Sequence, residues 1–130
     1  IVLGKFKKEK KITFVDLGTG SGAISIALAL ANPNWNGIAT DIDKNAIEIA
    51  SRNFTNNSNQ CNLRFCIGNW WDPLKNFKRK IDLAVANPPY IPLETYNELP
   101  KEVKKFEPRI ALLGGEDGLE HIKEIVKCQN

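Results

Sequence analysis

The stretch "ITFVDLGTGSGAISIALALANP", residues 12–33, holds most of the information about the fold. Residues 12–17 are a short apolar run ending in a glycine-rich turn, the pattern of a strand buried on both faces. Residues 21–31 are apolar on most sides and stop at Asn32-Pro33, which reads as a buried helix. A strand, a glycine turn and a helix in that order make one half of a βαβ unit. Residues 37–40 form a second short strand, and a helix follows from Asp43, a candidate N-cap. Ala46, Ile47, Ile49, Ala50 and Phe54 recur there at helical spacing.

Further along, "NFTNNSNQ" reads as a surface loop, residues 63–67 as a third strand and residues 81–86 as a fourth. Between those strands "GNWWDPLKNFKRK" is too rich in charge and turn formers for core. Residues 97–106 and 117–128 read as helices with "PRIALLGGEDG" between them. Strands alternating with helices predict a Rossmann-like α/β sandwich, a parallel sheet with helices on both faces. Such sheets bind ligands at the carboxyl ends of their strands. "DLGTGSG", "TDID", "GNWW" and "NPPY" all fall at those ends.

The chain has 130 residues, enough for one domain, and 42% are hydrophobic, enough for an ordinary core. Its net charge of +3 permits an acidic partner without demanding one. The basic run at residues 5–11 reads first as a solvated linker and second as a nucleic-acid contact. No apolar run reaches membrane-spanning length. Cys61, Cys66 and Cys128 show no metal-ligand spacing and are expected as reduced thiols of a cytoplasmic protein. The single histidine, His121, is expected at the surface of the last helix. The chain contains no Met and ends within a helical pattern, so a fragment of a longer protein is expected. Residues 1–11 would be its lead-in and residues 12–130 a partial domain truncated after the fourth strand. The open edge of that strand could pair with another chain and support an oligomer.

"DLGTGSGA" is G-x-G-x-G with Asp16 two residues before Gly18, not the G-x-G-x-x-G of dinucleotide sites. An acid at that place disfavours a pyrophosphate and suits an ammonium group. Asp41 closes the second strand about twenty residues on, the separation at which an acid accepts from ribose hydroxyls. Ribose and an ammonium without phosphates describe S-adenosylmethionine. Asp16, Gly18, Thr19, Gly20, Gly22, Asp41 and Ile42 are the expected cofactor positions in the first two turns. Asn69 would accept from the adenine amine, and Trp70 or Trp71 would cover a ring face.

The fourth strand ends in Asn87, Pro88, Pro89 and Tyr90. Proline restricts the residue before it, so the direction of Asn87 is set. The Asn87 side-chain carbonyl and a carbonyl of the Pro88-Pro89 pair can hold a planar amino group by its two hydrogens. Tyr90 can pack on the plane. Asn87 would thus serve both cofactor and substrate, in a displacement driven by orientation and a preorganised setting.

"DLGTGSGAISIALA", "DIDKNAIEIA", "NPPYIP" and "FEPRIALLGGEDGLEHI" resemble the release factor glutamine methyltransferases, the HemK-like class I enzymes, over residues 12–125. The resemblance implies S-adenosylmethionine-dependent N5-methylation of the GGQ glutamine of a peptide chain release factor. It places Gly18, Gly20, Asp41 and Asn69 at cofactor positions and Asn87 to Tyr90 at the substrate amide. The family often has Asp where this chain has Asn69, and it carries an N-terminal helical domain and further strands. NPPY also marks amino-methyltransferases acting on exocyclic base amines of RNA or DNA, the alternative enzyme reading. A cofactor-binding fragment without catalysis is the third.

Overall fold

The computed structural model describes residues 11–55, 61–106 and 109–127. Residues 5–10 of the basic run, residues 56–60 of the expected surface loop, and Cys128 lie outside the described residues. The chain divides into two units, residues 1–87 and 88–130.

In the first unit the strands are β1 (Thr13–Leu17), β2 (Asn36–Asp41), β3 (Asn62–Ile67) and β4 (Leu83–Ala86). Helix α1 (Ala23–Ala31) joins β1 to β2, and α2 (Lys44–Thr55) joins β2 to β3. All pairings are parallel and the order is β3-β2-β1-β4. This is the expected class of sheet. Central β1 is buried along its whole length, as a parallel strand flanked on both sides should be.

Pleating and register sort the side chains. Phe14 and Asp16 of β1 share a face with Gly37 and Ala39 of β2, Leu63 and Phe65 of β3, and Leu83 and Val85 of β4. The core forms on this face, where Ile12, Phe14, Ala39 and Leu63 meet Ile26, Leu28 and Ala29 of α1. Phe54 of α2 meets Phe65 edge-on with ring centroids 5.9 Å apart. Trp35, just before β2, closes the far end against Phe14 at 6.2 Å. Both crossover helices therefore cover one face, as right-handed connections running in the same direction require.

Two boundaries differ from the sequence reading in the first unit. α1 starts at Ala23 because Ser21 and Gly22 still belong to the turn, with Gly22 as the cap. β4 starts at Leu83; Asp82 just before it already faces Thr13, its N–H donating to Thr13 O at 2.8 Å and its carboxylate, not a backbone carbonyl, accepting the Thr13 N–H at 3.0 Å. A short 3-10 turn over Asp72–Leu74 lies between β3 and β4.

The second unit contains α3 (Leu93–Glu98), α4 (Lys101–Phe106), α5 (Arg109–Leu112) and α6 (Glu120–Lys127). The single helix expected over 97–106 is two helices. Leu99 precedes Pro100 and sits at ψ 143, out of the helical region, as a residue before proline must. Between α5 and α6 the chain runs beside the segment after Pro89. Ile91 and Leu113 form a parallel bridge, with Ile91 N–H donating to Leu112 O and Gly114 N–H to Ile91 O. Gly118, at φ +75, makes this possible, because a Cβ there would collide with the Tyr90 carbonyl.

Candidate active site

In the first unit the carboxyl ends of β1, β2 and β3 are stitched together by backbone bonds. Gly18 N–H and Thr19 N–H both donate to Thr40 O, each at 2.9 Å. Gly20 N–H donates to the Asp41 carboxylate at 2.8 Å, and Asp43 N–H takes its other oxygen at 2.9 Å. Gly68 N–H donates to Asp41 O at 2.9 Å. The glycine turn is thus held rigidly against the end of β2.

Beneath the turn lies a buried polar cluster. Asp16 is 1% exposed. One of its carboxylate oxygens accepts from Thr19 Oγ1 at 2.7 Å and from Ser25 N at 3.1 Å. The Thr19 and Ser25 hydroxyls lie 2.8 Å apart. The other oxygen, Oδ1, is buried with no hydrogen-bond partner among the described residues. Burial raises the Asp16 pKa above its usual value of 3.8, the hydroxyl and amide donors oppose that rise, and the Asp41 charge adds to it. A buried carboxylate with one open oxygen is matched to a cationic hydrogen-bond donor.

Gly18 sits at φ +72 and lies under the Trp70 ring: a Cβ on Gly18 would come within 2.9 Å of it. Trp70 itself is at φ +38, and its carbonyl accepts from Thr40 Oγ1 at 3.0 Å. Of the two tryptophans open in the sequence reading, Trp70 is thus the one that flanks the turn. Space is open beside Gly20, where a Cβ would meet nothing within 4 Å.

The register carries β4 to the same end. Leu17 pairs with Ala86, so Gly18 and Asn87 leave adjacent strands side by side. Asn87 is exposed. Pro88 follows in the chain and opens the second unit, where Tyr90 is 65% exposed.

The expected cofactor positions therefore separate by role. Asp16, Gly18, Gly20, Asp41 and Trp70 converge. Thr19 turns its side chain inward to Asp16 and offers only backbone to the surface. Gly22 faces α2, its Cα against Ile26 and Ala50, and is engaged in helix packing. Ile42 and Asn69 are exposed at the ends of β2 and β3, and Asn69 O accepts from Asp72 N–H. His121 is half-buried instead of a surface residue: its Nε2 lies 3.2 Å from Leu113 O, because α6 starts directly after the Gly118 turn. Two residues escaped the sequence reading, Ser25 and Thr40. Ser25 shows only as a polar break in an apolar helix and Thr40 only as the last residue of a strand.

The release factor glutamine methyltransferase of Prochlorococcus marinus is 43% identical over 114 residues, 88% of this chain and 39% of that protein. The chain spans about two fifths of the length of such curated relatives. Among solved structures, the hMettl16 catalytic domain in complex with a 3′UTR hairpin superposes with TM-score 0.65 at 20% identity, over 90% of this chain and 44% of that one. TrmK of M. capricolum in complex with S-adenosyl-homocysteine does so with TM-score 0.55 at 19% identity, over 77% and 42%. These two likenesses show the class I methyltransferase fold. The Methyltransferase small domain family matches residues 1–99, well over half of the chain, and the chain belongs to that family.

Proposed function

We propose that the chain is the core of an S-adenosylmethionine-dependent methyltransferase acting on a protein glutamine side-chain amide, with N5-methylglutamine as product. The observation that carries this reading is Asn87 leaving β4 in register beside Gly18, next to a turn that combines Asp16, Asp41 and the Trp70 ring. The relatives named release factor glutamine methyltransferase support a release factor glutamine as substrate; that it is the GGQ glutamine, and that the protein is cytoplasmic, are what the sequence reading implies.

The residues fit the cofactor. The open Asp16 oxygen suits its ammonium, directly or through water, and Asp41 can accept from ribose hydroxyls. Asn69 and the Trp70 ring suit adenine. When bound, S-adenosylmethionine supplies an electrophilic methyl group. As the sequence reading implies, Asn87 and a carbonyl of Pro88-Pro89 would accept the two amide hydrogens and orient the nitrogen, and Tyr90 would pack on the amide plane. Orientation is the main contribution, because no side chain there needs to form a bond. Polarised N–H bonds raise electron density on nitrogen, and the released proton leaves to solvent.

Mass spectrometry of a release factor, incubated with the chain and S-adenosylmethionine, tests this. One methyl group on the GGQ glutamine is expected. Asn87→Ala should reduce turnover by about a hundredfold or more while leaving cofactor affinity within about twofold, since only the nucleophile's orientation is lost. Methylation of RNA or DNA amines instead of the glutamine would favour the base-amine reading. Cofactor binding without any transfer would leave a binding fragment.

A further inference from the structure

Thr40 occupies a junction that the reaction scheme above does not use. Its carbonyl accepts from Gly18 N–H and Thr19 N–H, and its hydroxyl donates to Trp70 O at 3.0 Å. One fully buried residue thus holds the glycine turn through its backbone and the loop after β3 through its side chain. These two segments flank the candidate cofactor site.

Trp70 needs such a hold. Its φ of +38 makes it the one non-glycine residue with positive φ among the described residues. Bulky side chains rarely adopt that conformation, and it persists only when neighbouring structure enforces it. The consequence is specific: in this conformation the benzo ring of Trp70 occupies the place beside Gly18 where a Cβ would go, its Cζ3 2.9 Å from that position. Gly68 N–H donating to Asp41 O fixes the start of the loop, and Asp72 N–H donating to Asn69 O holds the peptide group that precedes Trp70. The Thr40 hydroxyl holds the peptide group that follows it, through the Trp70 carbonyl.

We propose that Thr40 is a positioning residue of the cofactor site, its hydroxyl holding the Trp70 carbonyl so that the indole is laid on the glycine turn as a preformed wall. The inference rests on the cofactor reading given above. Thr40 need not touch the cofactor. It acts through Trp70, and it links the wall to the turn, because the same residue holds both. Ordering this wall in advance would remove a cost of binding.

The test compares Thr40→Val, which keeps the shape and removes the hydroxyl, with Thr40→Ser, which keeps the hydroxyl. Calorimetric titration of the 130-residue chain with S-adenosylhomocysteine should show affinity lowered about tenfold by Thr40→Val and left within about threefold by Thr40→Ser. In a Trp70→Gly background, where the wall is absent and φ +38 is unstrained, Thr40→Val should have no further effect. An equal loss in that background would show that the hydroxyl acts elsewhere and would overturn the proposal, as would unchanged affinity for Thr40→Val alone. Thr40→Ala is the second hydroxyl-free variant should Val fail to fold. A second readout is independent of cofactor: the Trp70 indole NMR resonance, identified by its loss in Trp70→Gly, should move in Thr40→Val and stay in Thr40→Ser. An unmoved resonance contradicts the proposal. Absence of binding by the wild-type chain would contradict the cofactor reading, and the indole resonance would still decide whether Thr40 positions Trp70.

Discussion

The Asp41 carboxylate accepts the Gly20 N–H at 2.8 Å, joining the end of β2 to the glycine turn after β1. The acid expected to bind ribose is therefore also part of what shapes the turn. Its other oxygen accepts the Asp43 N–H, so each oxygen keeps capacity for one more donor. Asp41→Ala should weaken S-adenosylhomocysteine binding by tenfold or more, and should also destabilise the empty chain by about 1.5–3 kcal/mol through loss of charge-assisted bonds. Calorimetry and urea unfolding read the two effects separately. A loss of affinity with unchanged stability would mean that the Gly20 bond carries no weight.

Gly18→Ala combines two penalties. The backbone at φ +72 disfavours an L side chain by about 1–2 kcal/mol. The new Cβ would also press on the Trp70 ring. The second penalty should vanish in a Trp70→Ala background, so Gly18→Ala is expected to be less destabilising there than in the wild type. Equal destabilisation in both backgrounds, measured by urea unfolding, would show that the ring does not rest on Gly18.

Asp16 makes stability depend on pH. Its folded-state pKa is raised, chiefly by burial, so the fold favours the protonated form. The stability associated with that preference is complete below the unfolded value of 3.8 and is lost as pH rises through the folded value. Asp16→Asn does not ionise. Its stability relative to wild type should therefore improve as pH rises from 3.8 through the folded-state value and level off above it, while its affinity for S-adenosylhomocysteine falls. A stability difference that is flat with pH would mean that Asp16 titrates as it does when unfolded.

In the second unit, Gly118→Ala should break the close approach to Tyr90. The collision with the Tyr90 carbonyl forces the two segments apart, at a cost of about 1–3 kcal/mol. Hydrogen exchange at the Ile91 and Gly114 amides, which bond across those segments, should accelerate. Unchanged exchange there would show that the segments do not depend on this glycine.

Much of this was legible in the sequence, for reasons tied to particular residues. The apolar run into "DLGTGSG" specified β1 and its turn, because buried parallel strands and positive-φ glycines leave strong patterns. Asp41 was legible by its distance along the chain from that turn. Leu99-Pro100 carried a helix break that a reading of helical spacing alone passed over. Ser25 and Thr40 left little trace, because a small polar residue in an apolar run looks alike whether its hydroxyl is idle or holds a carboxylate or a carbonyl. The grouping of Gly114 and Gly118 with "NPPYIP" was likewise invisible: residues more than twenty positions apart show no local sign that one fits the backbone of the other.

The most direct measurement is calorimetric titration of the 130-residue chain with S-adenosylhomocysteine. Saturable binding at one site, weakened by Asp41→Ala and little changed by Asn87→Ala, is the expected result. No binding by a chain shown to be folded would contradict the claim that the glycine turn, Asp16, Asp41 and Trp70 form a working cofactor site.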